Sequence, residues 1–203
     1  MTVSLSPFLW YAEKAEEAAR FYAGLIPDSR VDAVWTLPAE TPSGPEGSVQ
    51  VVEMTLAGQP VMAMTAKPMD SFNHAISLIL TCDTQAEIDR LWDGLLQGGT
   101  EEACGWLRDR YGLSWQITPR RLLELIAGPD RERAARVAQA MLGMVKLDLA
   151  AIEAACAAPA RSPAAARGRR PVLLRDRRDC GARNGRWTGS RSRCSLPVGR
   201  ATG

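Results

Sequence analysis

The 203-residue sequence contains a single histidine, His74, and five cysteines without a CxxC pair. An odd number of cysteines argues against a disulfide framework, and the lack of short His/Cys spacings argues against a thiolate zinc site. No run of about eighteen apolar residues is present to span a bilayer. The start, MTVSLSPFLWYAEKAEE, lacks the basic segment of a signal peptide. These absences predict a soluble, cytoplasmic protein.

A glycine-rich loop between a strand and a helix is also missing. The segment PSGPEG (42–47) is flanked by prolines and opens no helix, so an adenosyl-cofactor site is not predicted. The longer loop around it, LPAETPSGPEGS (37–48), is either a lid or a flexible connection.

Lysine is missing from residues 157–203, which contain twelve Arg and two Asp and therefore carry a net charge of +10. Residues 1–156 carry −8. With no Glu, Ile, Phe, Met or Tyr, the Arg-rich tail is predicted to be disordered. It is either a nucleic-acid-binding arm or the product of a frameshift in a GC-rich gene. We therefore predict a globular domain over 1–156 and a separate tail over 157–203.

The globular part has an internal repeat. The segment EAARFYAGLI (17–26) aligns with EIDRLWDGLL (87–96), an offset of 70 residues. Each copy follows a predicted strand (4–12 and 74–81) and precedes further strands, among them 30–36 and a hairpin over 49–66 that turns at Ala57-Gly58. This order predicts a duplicated α+β half-domain.

The hairpin CGWLRDRYGLSWQITP (104–119) closes the second half. From Leu113 onward large apolar residues alternate with Ser114, Gln116 and Thr118, which is typical of a strand with one dry and one polar face. Gly112 is suited to the positive φ of the preceding turn. Beyond Pro119 the chain is predicted to be helical, with Asp130 as an N-cap and a packing face at Val137, Met141, Met144 and Leu147.

Several residues of this part are candidates for a binding site. Trp10, Trp106 and Trp115 form either an aromatic wall for a ligand or part of the core. Arg108 and Asp109 pair beside a cavity or in an exposed turn. Cys104 is a weak candidate for a reactive thiol, because no histidine lies near it in sequence.

The repeated strand–helix–strand–strand–strand order resembles the vicinal oxygen chelate superfamily of glyoxalases, bleomycin-resistance proteins and dioxygenases. Within this superfamily, residues 4–155 resemble the PhnB-like branch, which is labelled 3-demethylubiquinone-9 3-methyltransferase. The segments that carry this resemblance are PFLWY, AEEAARFYAGLIPDSRV, GQPVMAM, CDTQAEIDRLWDGLLQGG, CGWLRDRYGLSWQITP and AARVAQAMLGMVKLDLAAIEAA. The resemblance implies tandem βαβββ modules that form a curved, mostly antiparallel sheet around a cavity, followed by C-terminal helices. The polar face of the last strand would then line the cavity.

Enzymes of this superfamily bind a divalent metal through side chains of the sheet. The implied ligand positions fall on Pro7, on the apolar segment VMAM (61–64), on whichever of His74 and Ser77 points inward, and on Gln116. Two neutral ligands without a carboxylate bind such a cation weakly. Glu53 is the candidate base, or simply a solvated carboxylate of a strand.

We therefore expect a small-molecule-binding protein without an intact metal site, with Trp10, Ser77, Trp106, Arg108 and Trp115 around the ligand. The alternative is a metal-dependent lyase, isomerase or dioxygenase-type enzyme that uses His74, Gln116 and Glu53. Nucleic-acid binding through the tail is a second alternative. The resemblance also implies a homodimer.

Overall fold

A computed structural model of the protein describes residues 3–67 and 70–159, all within one unit spanning 1–160. These residues form eight strands and five helices, in the order β1 (Phe8–Tyr11), α1 (Ala15–Leu25), β2 (Arg30–Thr36), β3 (Gln50–Leu56), β4 (Gln59–Thr65), β5 (Leu78–Cys82), α2 (Gln85–Leu95), β6 (Thr100–Glu101), β7 (Trp106–Arg108), β8 (Ser114–Pro119), α3 (Arg120–Ala127), α4 (Arg131–Leu142) and α5 (Leu149–Ala157). Apart from the end of α5, the predictions for the Arg-rich tail fall on residues 160–203, outside the described part.

The two halves have the same topology. The strand order is β1-β4-β3-β2 in the first sheet and β5-β8-β7-β6 in the second. In each half the first strand pairs in parallel with the last, and the other pairs are antiparallel. The predicted tandem of βαβββ units is therefore confirmed, with the sheet present as two four-stranded sheets.

One face of each sheet packs against its own helix. In the first half Leu9 and Tyr11 alternate with the exposed Phe8 and Trp10, and they join α1 in the main core. In the second half Leu107, Trp115 and Ile117 pack with α2 in the same core. The period-two alternation predicted from Leu113 onward is thus confirmed.

The face of each sheet turned away from α1 or α2, which we call the far face, holds the intervening residues. Strand register places Trp10, Trp35, Glu53, Met62 and Met64 there in the first sheet. In the second sheet it places Ile79, Trp106, Arg108 and Gln116 there.

The two halves are joined through their helices. The guanidinium Nη1 of Arg90 in α2 donates to the carbonyl oxygen of Leu25 at the end of α1, at 2.6 Å. Gly94 of α2 lies so close to Leu25 that an added Cβ would stand 2.5 Å from its Cδ1. Helix α2 begins at Thr84 with a complete capping box formed with Glu87.

The element boundaries show one error that affects the site. The strand predicted over 74–81 begins only at Leu78, so His74 lies in the turn before β5 and not on the strand. The hairpin turn at Ala57-Gly58 is confirmed, with both residues at positive φ, and Gly112 has the predicted positive φ of 88°.

The C-terminal helices form a smaller core of their own, built on Leu122, Leu125, Val137, Leu147 and Ile152. Asp130 caps α4 as predicted, and Met141 and Met144 pack against this core, which confirms the packing interpretation. The segment before α5 is held by backbone hydrogen bonds from Cys104 to Met144 and from Gly105 to Val145, both 2.8 Å. Among the residues described, every helix is too short or too polar to cross a bilayer.

Candidate functional site

The polar residues of β8 do not face bulk water. Ser114 and Thr118 are buried, and Gln116 is half-buried. The amide Nε2 of Gln116 donates to the hydroxyl of Ser77 at 2.8 Å. The structure thus brings together two of the predicted site residues, at the point where the chain enters β5.

A second cluster surrounds the carboxylate of Glu102. One oxygen is 2.8 Å from Nε2 of His74, and the other accepts from Nη2 of Arg108 at 3.0 Å. The His74 ring lies 6.0 Å from the ring of Trp106. Partial burial pushes the pKa of Glu102 upward, but the hydrogen bonds from His74 and Arg108 outweigh this effect and hold the pKa below its usual value.

Glu102 was not among the residues predicted from the sequence. It directly follows β6, which pairs with β7, the strand that carries Trp106 and Arg108. Glu101 stands opposite Leu107, and the backbone N–H of Glu102 donates to the carbonyl of Trp106. Extending that register places Glu102 opposite Trp106, on the face of the sheet that also carries Arg108. The predicted residues His74, Trp106 and Arg108 are therefore close neighbours, with Glu102 as the group that links two of them.

Glu53 does not join this cluster. It is exposed on the far face of the first sheet, where its Oε1 accepts a hydrogen bond from Nε1 of Trp35 at 3.0 Å. The interpretation of Glu53 as a solvated strand carboxylate agrees with this position, and it has no contact that marks it as a base.

Trp115 and Asp109 occupy positions that differ from the site prediction. Trp115 is 1% exposed and packs in the core, so it does not line a cavity. Asp109 is buried as well and pairs with neither Arg108 nor solvent. Its carboxylate accepts from Tyr22 Oη at 2.7 Å and from Trp115 Nε1 at 2.8 Å. The pairing of Arg108 with Asp109 was thus wrong in both of its forms.

A cavity of about 470 Å³ lies between the end of β1 and the turn of the β7–β8 hairpin, so both halves contribute to it. Its lining has aromatic, basic and acidic side chains. The lining residues are Trp10, Tyr11, Ala12, Glu13, Lys14, Asp70, Ser71, Phe72, Arg108, Arg110, Tyr111 and Gly112. Of the predicted ligand-contacting residues, Trp10 and Arg108 are in this lining, while Ser77, Trp106 and Trp115 are not.

The residues suggested as metal ligands do not fit a metal centre. Nε2 of His74 is hydrogen-bonded to Glu102, and the amide nitrogen of Gln116 donates to Ser77, so the neutral oxygen Oε1 is the atom that Gln116 could offer to an ion. Over residues 3–67 and 70–159, no group of three or more His, Cys, Asp or Glu side chains is placed to hold an ion. Since carboxylates are the ligands that a hard divalent cation requires, this donor set is unsuited to one.

Comparison with known proteins supports the architecture. A family model described as 3-demethylubiquinone-9 3-methyltransferase matches residues 3–118. A PhnB protein from Bacillus cereus has 34% sequence identity over 58% of this chain and 99% of its own, with a TM-score of 0.50.

Two more distant structures are also similar. A protein from Pseudomonas aeruginosa is 20% identical over 58% of this chain and 98% of its own, with a TM-score of 0.48. The fosfomycin resistance protein FosX from Mesorhizobium loti is 15% identical over 67% of this chain and 99% of its own, with a TM-score of 0.43. Among curated proteins, none matches significantly.

Proposed function

Because the chain belongs to the PhnB-like family described as 3-demethylubiquinone-9 3-methyltransferase, we propose that it binds a small organic molecule without a resident metal. The observation that supports this proposal is the cavity shared by the two halves. Its lining combines aromatic side chains, Trp10 and Phe72, with two arginines, Arg108 and Arg110. Its volume falls within the range of about 300–1,000 Å³ usual for ligand sites.

Methyl transfer finds no support in the strand-to-helix connections. Ala12–Lys14 links β1 to α1, and Asp83–Thr84 links β5 to α2. Neither link contains a glycine, whereas a nucleotide-like cofactor is usually held by a glycine-rich loop at this position. We therefore propose no methyl transfer for this chain.

The proposal is tested by metal analysis together with a thermal-shift screen. Purified protein should contain less than stoichiometric divalent metal, and added Mn²⁺ or Zn²⁺ should leave Tm unchanged. A stoichiometric ion that is lost in His74→Ala or Gln116→Ala would contradict the proposal. It would favour the alternative of a metal-dependent enzyme with Glu53 as base.

Ligand binding is located with a matched pair of tryptophan variants. Trp10 and Trp35 are each 40% exposed on the far face of the first sheet, but only Trp10 lines the cavity. A compound that raises Tm of the wild type should lose its effect in Trp10→Ala and keep it in Trp35→Ala. Equal loss in both variants, or loss in Trp35→Ala alone, would place the ligand elsewhere.

The homodimer and the nucleic-acid binding of the Arg-rich tail stay predictions. Light scattering on the full chain tests the first. Salt-dependent binding of DNA that disappears on truncation after Ala155 tests the second.

A further inference from the structure

The basic residues of the cavity are only partly neutralised. Lys14, Arg108 and Arg110 line it together with two carboxylates, Glu13 and Asp70. Glu13 forms an ion pair at 2.6 Å with Lys67, which is not a lining residue. Lys14 in turn pairs with Glu17 at 3.4 Å, so Arg110 and Asp70 are the charged residues of the lining without an ion-pair partner in the described part of the chain.

Arg108 has hydrogen-bonding capacity left over. A guanidinium has five N–H donors. Within the described part of the chain, Arg108 uses one nitrogen, Nη2, on Glu102, and its side chain remains 45% exposed. Glu102 divides its charge between Arg108 and His74. The free edge of the guanidinium is suited to a second carboxylate, which planar arginine binds with two parallel hydrogen bonds.

Arg110 carries its charge without an ion pair. Its Cζ stands 4.4 Å above the centroid of Phe21 and 5.9 Å from that of Tyr111. Among the described residues no carboxylate oxygen lies within 4 Å of the guanidinium nitrogens of Arg110. Stacking on a ring fixes the group without neutralising it.

The aromatic residues of the cavity are held in place by neighbouring side chains. Phe72 packs edge-on against Tyr11, with ring centroids 5.0 Å apart. The hydroxyl of Tyr111 donates to Glu17 at 3.1 Å, and this bond adds to burial in raising the pKa of Tyr111 to about 12, so the phenol stays neutral. Trp10 stacks edge-on with Phe8 at 5.8 Å. Rings whose positions are fixed bind a flat ligand at a smaller entropic cost.

From these contacts we infer that the cavity binds a small aromatic carboxylate. Its acid group pairs with Arg108 and its ring lies among Trp10, Phe72 and Tyr111. The inference rests on the proposed function and narrows it to one ligand class. Glu102 is then a positioning residue, because it holds Arg108, and His74 contributes through its contact with Glu102. An aromatic amine directed to Asp70 is the competing ligand class.

Three probes that share one ring test the inference by calorimetric titration of the full chain, namely phenylacetate, phenylacetamide and phenethylamine. Phenylacetate should bind, and the amide and the amine should bind more weakly. In Arg108→Gln the Kd for phenylacetate should rise by about tenfold or more, as expected when a charge-assisted hydrogen bond is lost. Arg108→Lys should recover only part of the affinity, because lysine cannot offer two parallel donors.

Arg120→Gln is the matched control. Arg120 is also an exposed arginine with one carboxylate partner, Asp83 at 2.7 Å, but it lies outside this cavity. The Arg120→Gln variant should bind phenylacetate as the wild type does. Circular dichroism should show that both glutamine variants are folded. An unchanged Kd in Arg108→Gln, tighter binding of the amide or amine, or no binding of phenylacetate overturns the inference. If compounds of another class bind instead and their binding is lost in Trp10→Ala, the proposed function still holds while this inference fails.

Discussion

The hydroxyl of Tyr22 in α1 donates to the carboxylate of Asp109 at 2.7 Å, although the two residues lie 87 positions apart. The same carboxylate accepts from Trp115 Nε1 and from the backbone N–H groups of Tyr111 and Leu113. Burial and the nearby negative charge raise the pKa of Tyr22 well above its ordinary value, so the phenol remains a donor. This hydrogen-bond network connects the first helix of one half to the last hairpin of the other.

We expect Asp109→Ala to lower the free energy of unfolding by about 3 kcal/mol or more, because several buried donors lose their acceptor together. Tyr22→Phe removes one donor and should cost about 1–2 kcal/mol. Urea denaturation followed by circular dichroism measures both. Asp93→Ala is the control, since that carboxylate is 69% exposed and forms a surface ion pair with Lys146. If Asp109→Ala were no more destabilising than Asp93→Ala, the network would contribute little to stability.

The two glycines matched by the internal repeat should respond in opposite directions to alanine. A Cβ added to Gly24 meets no atom within 4 Å, so Gly24→Ala should stabilise α1 by about 0.5–1 kcal/mol. A Cβ on Gly94 would press on Leu25 of α1, and crowding of this kind costs about 1–3 kcal/mol. Thermal denaturation of both variants tests the pair. Stabilisation by Gly94→Ala would mean that α1 and α2 can move apart without a loss of stability.

The ion pairs of Glu102 should be lost in acid. Because the pKa of this carboxyl is lower in the folded protein than in the unfolded chain, its contribution is complete above the unfolded pKa of about 4.3 and disappears as pH falls through the folded value. The stability difference between wild type and Glu102→Gln should therefore shrink as pH falls.

Carbon-13 NMR of the carboxyl groups isolates the cause. In Arg108→Gln the pKa of Glu102 should rise. The pKa of Glu87 is lowered by backbone hydrogen bonds from Asp83 and Thr84, and it should stay where it is. Equal shifts of both carboxyls would indicate a change in the fold and not the loss of one partner.

Cys82 should be the least reactive of the described cysteines. Burial raises the pKa of its thiol to about 11, so at pH 8 only about one molecule in a thousand carries the thiolate. Cys104 and Cys156 are half-buried. Peptide mapping after a short treatment with iodoacetamide should show Cys82 modified last, and unfolding in urea should remove the difference. Early modification of Cys82 in the native state would contradict its buried position.

The repeat and the strand alternation were predictable because they depend on local spacing. The succession of elements along the chain followed from the duplicated pattern, and the dry face of β8 followed from Leu113, Trp115 and Ile117. The site was harder to predict from the sequence because its contacts join distant parts of the chain. His74 was assigned to a strand that begins four residues later. Asp109 resembled an ordinary turn residue, and only the packing of α1 against the hairpin reveals its partner Tyr22.

Within each half the first strand has the last strand as its neighbour, as in the pairing of Phe8 with Met62. During synthesis β1 therefore emerges long before its partner exists. The helix and the antiparallel hairpin between them can form early, because their contacts are short in sequence. Closing each sheet is then the late step, and its rate depends on loop-closure entropy, which grows only slowly with the length of the intervening chain.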